Sequence, residues 1–109
     1  MRRLAETEAD LIRAGDLLGQ ARARRTEARI LLEAATEAYV TARDNKDLTG
    51  DQRTVTLSEL DSQRAAYQAR WELSYEEVRQ AMDAYRKAEA EHQAARDAFD
   101  ALNAYAEKP

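Results

Sequence analysis

The residues with most chemistry to offer stand late in the chain. In Glu89-Ala90-Glu91-His92 a carboxylate and an imidazole are three positions apart. On a helix they share one face, as the two ligands that such a helix supplies to a carboxylate-bridged metal pair must. Glu89 and His92 are therefore candidate metal ligands. Arg22, Arg24, Arg25 and Arg29 form the densest basic stretch, and the guanidinium fork suits bidentate contact with phosphate, which makes these four the candidate nucleic-acid contacts. Each reading has an ordinary structural role beside it: His92 as a partly solvated residue near Glu8 or Glu89, and Arg24 as half of an ion pair with Glu77. Beyond these groups there is no Gly-rich phosphate loop, no Ser-His-Asp set at a nucleophile elbow and no cysteine. The expectation is a protein without enzymatic activity and without a cofactor.

Positioning any of these groups falls to a heptad pattern. Counting in sevens from Leu4 meets Leu11, Leu18, Arg25, Leu32 and Tyr39, and three positions further on stand Thr7, Ala14, Ala21, Ala28, Ala35 and Ala42. From Leu57 the same count meets Arg64, Trp71, Val78, Tyr85, His92, Phe99 and Ala106, accompanied by Leu60, Tyr67, Ser74, Ala81, Ala88, Ala95 and Leu102. Both are seams of amphipathic helices. Between them, Asp44, Asn45, Asp47, Thr49, Gly50 and Asp51 supply turn formers, and the β-branched run Thr54-Val55-Thr56 disfavours helix. Thr56 with Glu59 makes a capping box, so the pattern predicts helix 1 over about 2–44, a turn over about 45–56 and helix 2 over about 57–106. Thr49 with Gln52 makes a second, weaker box that would start helix 2 near Asp51.

Folding the chain about Gly50 pairs residues whose numbers add to about 99. Leu4 then meets Ala95, Leu11 meets Ala88 and Leu18 meets Ala81, while Ala14 meets Tyr85, Ala21 meets Val78 and Ala28 meets Trp71. Large opposes small in each of these layers, which lets two backbones approach closely without voids. The predicted fold is all-α: two long helices forming an antiparallel coiled-coil hairpin, a single domain over 1–109. Two layers break the pattern, Ala35 against Arg64 and Arg25 against Ser74, where the guanidinium groups are expected to snorkel outward and to penalise slipped registers. Gly15 and Gly19 allow either a kink near Asp16 or close approach of another helix, although the heptad phase continues through them.

Composition supports the same architecture. Of the 44% of residues that are hydrophobic, 23 are Ala, leaving 25 larger apolar side chains, too few for a globular core but enough for a seam. With three Gly and one Pro, turn chemistry is too sparse for a sheet. The absence of cysteine fits a reducing compartment, and the first twenty residues hold no apolar run of signal-peptide or membrane-span length, so the expected location is cytoplasmic, with secretion lacking a signal peptide left open.

Two partial resemblances attach to the late motifs. A short two-helix chain with Glu89-x-x-His92 resembles the encapsulated-ferritin type, which implies a di-iron site completed by two subunits; here the layer facing His92 offers Thr7, flanked by Glu6 and Glu8, in place of an inward carboxylate. Tyr85 with Glu89 resembles the Tyr-x-x-x-Asp/Glu signal of the small Trp-x-Gly helical hairpins exported by type VII secretion. In this chain, however, Leu48-Thr49-Gly50 stands where Trp-x-Gly would, and Trp71 lies inside helix 2.

What remains is surface. The pairing exhausts helix 1 while helix 2 continues through Phe99, Leu102 and Tyr105, and Leu17, Leu31, Tyr75 and Met82 lie off the seam. Dimerisation into a four-helix bundle would cover them, with the overhanging aromatics as anchors. The expected function is a non-catalytic protein–protein interaction or assembly module, self-associating as a homodimer or binding a larger protein. An alternative is a small phage- or plasmid-type inhibitor presenting the acidic face of helix 2. A net charge of -4 weighs against nucleic acid as partner, and no membrane partner is expected.

Overall fold

The computed structural model describes residues 2–107. Two α-helices account for nearly all of them, α1 over Leu4–Arg43 and α2 over Gly50–Ala106, with no strand among the described residues. The class is an all-α helical hairpin. Both helices are built largely from Ala, Leu, Glu, Gln and Arg, residues that lose little rotamer freedom in a helix, and neither contains proline. α1 runs unbroken through Gly15 and Gly19. A Cβ at Gly15 would stand 3.5 Å from Tyr85 Cε2, an ordinary contact, and one at Gly19 would meet nothing.

The turn is shorter than its sequence suggests. α2 begins at Gly50, not near Leu57, so Thr56 and Glu59 lie inside the helix and the earlier of the two starts is the one used. The first helical bond runs from the Arg53 N–H to the Thr49 carbonyl at 3.3 Å. Gly50 has φ of 59°, in the left-handed region that costs other residues about 1–2 kcal/mol. The β-branched run costs only a few tenths of a kcal/mol per residue in a helix, too little to offset the bonds that an earlier start adds. That start also brings Arg53 within reach of the end of α1. Its guanidinium donates at 2.6 Å to the Arg43 carbonyl, an acceptor at the end of α1 without an intrahelical partner, and at 3.3 Å to the Asn45 carbonyl, which also takes the Leu48 N–H. Asn45 adds an Asx turn, its Oδ1 accepting the Asp47 N–H at 3.0 Å.

Every predicted seam position from Leu4 to Ala42 and from Leu57 to Ala95 is buried or half-buried. The most deeply covered residues are mainly small: Thr7, Ala21, Ala28, Ser74, Ala35 and Ala95. With only two helices, a large seam residue lies across its small partner and keeps one side towards water, so the small residue is the one fully enclosed.

Contacts divide the chain into two compact units, one of Met1–Ala21 with Val78–Pro109 (the terminal unit) and one of Arg22–Glu77 (the turn unit). In the terminal unit Thr7 stands against His92 and Gly15 against Tyr85. In the turn unit Arg24 stands against Glu77 and Tyr39 against Arg64. Within each, the two helices are antiparallel and close to the predicted register.

Candidate functional site

In the terminal unit the layer containing the candidate metal ligand is closed by hydrogen bonds. Thr7, 2% exposed, donates its hydroxyl to the Leu4 carbonyl at 2.9 Å. Its Oγ1 is also 3.0 Å from His92 Nδ1. A hydroxyl has one hydrogen, so with that hydrogen on Leu4 the imidazole must donate from Nδ1. One ring nitrogen of His92 is thus committed to fastening the first turn of α1. Glu89 is exposed, and among the described residues no three His, Cys, Asp or Glu side chains gather where they could hold a metal ion.

Arg2, just ahead of α1, reinforces the same layer, with Nη1 at 2.5 Å from Asp10 and 3.2 Å from Glu91. The hydrogen bond and charge of Asp10 foremost, with a lesser contribution from Glu91, raise the Arg2 pKa above its ordinary value against a lowering by desolvation. A base raised in this way stabilises the fold below its unfolded pKa and ceases to do so only above its folded one. Its contribution is therefore constant over any ordinary working pH.

The expected anchors lie at the far end of this unit. Phe99 is 49% exposed, Leu102 69% and Tyr105 80%, although Phe99 and Leu102 continue the seam that is covered up to Ala95. α1 begins at Leu4, which the register sets against Ala95.

The turn unit divides the basic cluster. Arg24 pairs with Glu77 at 3.2 Å, as its sequence position suggests. Arg25 turns the other way: its guanidinium carbon is 5.2 Å from the Trp71 ring centroid and 4.9 Å from that of Tyr75. The expected outward snorkelling does not occur, because residues one helical turn apart on α2 offer two π-faces that replace part of the lost hydration. Nη1 is buried and makes no hydrogen bond. Arg64 behaves similarly, 4.7 Å from the Tyr39 centroid, with Nη2 2.5 Å from Asp61. Arg29 is 3.9 Å from Glu33.

The flank residues do not form one surface. Leu31 shares the heptad position of Arg24, whereas Tyr75 lies beneath Arg25 on the other side of the seam. By heptad position the same split separates Leu17 from Met82 in the terminal unit. Leu17 and Tyr75 are exposed, Leu31 and Met82 half-buried.

No family model, curated protein or solved structure matches this chain. Neither partial resemblance is therefore joined by a family relationship. Among the described residues no helix is long and apolar enough to cross a membrane.

Proposed function

We propose that this protein is a non-catalytic interaction and assembly module that pairs with a second copy of itself through the tail of α2. The observation that carries this reading is the abrupt change at Ala95: every earlier seam position is covered, and Phe99 and Leu102, in the same heptad phase, are not. A second tail laid antiparallel would continue the seam, each copy supplying the surface the other lacks, as two-fold interfaces do. Two aromatics and a leucine per copy bury about 1,000 Å² in total, near the lower limit for a specific interface and compatible with a Kd of about micromolar order. The cytoplasmic location expected from the sequence suits such a module.

Light scattering coupled to size exclusion, over about 1 µM to 1 mM protein, tests this. The expected mass rises from the 12.4 kDa of one chain towards twice that value. The double variant Phe99→Asp, Leu102→Asp should hold the monomer mass while keeping its helical circular dichroism. A wild-type chain that remains monomeric throughout the range, or a double variant that dimerises as well as wild type, overturns the reading.

A further inference from the structure

The groove beside Arg25 in the turn unit answers to none of the roles above. It has a volume of about 220 Å³ and is lined by Arg25, Thr26, Arg29 and Trp71. At about 30 Å³ per water this is room for several waters, or for one small ligand. Arg22 lies one turn before Arg25 and Thr26, and the Thr26 hydroxyl is committed to the Arg22 carbonyl at 3.1 Å, leaving the arginines as the donors. Three positive charges stand at positions 22, 25 and 29, and the Arg29–Glu33 pair beside them is long and exposed. In a chain of net charge -4 this is a local excess of the opposite sign.

The rings hold Arg25 in place. A guanidinium lying over two π-faces has lost rotamer freedom and part of its hydration before any ligand arrives, so its remaining donors bind an anion at lower entropic cost than those of a free surface arginine. Trp71 adds an apolar wall to the same groove.

We propose that this groove is a binding site for a small phosphate monoester, its oxyanion held by Arg25 and Arg29 and its organic group lying against Trp71. The dianion is opposite in sign to the arginines, and two guanidinium groups can share its three terminal oxygens. The volume admits a single ring and one phosphoryl group, in contrast to an extended polyanion track. The site is independent of the α2 tail, so it stands or falls separately from self-association.

Trp71 is the only tryptophan in the chain, so its fluorescence reports on the groove without ambiguity. Titration of the full chain with phenyl phosphate should give a saturable change in Trp71 emission, and inorganic phosphate should bind about 5-fold more weakly for want of the ring. Arg29→Gln, at an exposed position that the fold does not need, should weaken phenyl phosphate about 10-fold, and Arg24→Gln, on the opposite flank, should leave it within about 2-fold of wild type. Amide shifts followed by NMR should cluster around residues 22–29 and 68–75. Three results overturn the proposal: no saturation with phenyl phosphate, equal losses in Arg24→Gln and Arg29→Gln, or retention only of a single-stranded oligonucleotide with a steep salt dependence.

Discussion

The terminal and turn units fill the same heptad template in different ways. In the terminal unit most layers are aliphatic or small, Tyr85 lies beside Gly15, one layer is closed by the Thr7–His92 bond, and Phe99 stands exposed beyond the covered seam. In the turn unit the layers that look wrong by hydropathy, those of Arg25 and Arg64, are occupied by guanidinium groups lying on Trp71, Tyr75 and Tyr39. An aromatic side chain in a two-helix seam is too large to be enclosed by one facing residue. Where an arginine stands nearby, the exposed part of the ring takes up a cation; beside Gly15 the Tyr85 ring lies against the bare backbone; and Phe99 stays exposed. A polar residue at a seam is therefore not one kind of defect: Thr7 closes a layer with hydrogen bonds, and Arg25 closes one with π-faces at the expense of a buried N–H that has no acceptor.

Three substitutions break or sharpen this contrast. The largest effect should come from Leu18→Ala in the terminal unit, a buried aliphatic residue facing Ala81, where two small residues would leave a gap. A loss of about 2–4 kcal/mol in denaturant unfolding is expected. A loss below about 1 kcal/mol would mean that aliphatic layers do not carry this unit. Next, Thr7→Val keeps the shape but leaves His92 Nδ1 without its partner, and should cost about 1–2 kcal/mol, with faster amide exchange in the first turns of α1. Unchanged exchange there would remove the hydrogen bonds from the account of this layer. The smallest change, and one of opposite sign, is Arg25→Leu. Replacing a half-buried guanidinium whose buried Nη1 makes no hydrogen bond by an apolar side chain should raise stability by about 1 kcal/mol, since the cation–π contribution forgone is offset by apolar burial and by relief of the orphaned N–H. Destabilisation by that variant would show that the two rings stabilise the charge more than this balance allows.

Much of the architecture is legible in residue spacing. Leu and Ala recurring at seven-residue intervals identify both seams, Gly50 locates the reversal, and the resulting register places Thr7 opposite His92 and Arg24 opposite Glu77. The start of α2 is misjudged because β-branched residues are weighed as helix breakers when their penalty is small beside one extra turn of backbone hydrogen bonds closed by Arg53. The course of Arg25 is missed for another reason. Heptad position determines which layer a side chain joins, but a long side chain selects its flank from what the facing helix offers one turn away, and the Trp71/Tyr75 spacing was the signal available. The proposed anchors Phe99, Leu102 and Tyr105 are exposed as the overhang implies, whereas Leu31 and Met82 are half-buried.

That the enclosed residues are mainly alanine, threonine and serine also bears on how such a chain can diverge. A bulky seam residue has a wet side into which a different shape can extend, so it can drift with modest penalty, while the methyl-sized positions beneath have no free direction in which to grow. The conserved skeleton of any descendants would then be a row of unremarkable alanines, and the conspicuous aromatics would be the letters most often rewritten.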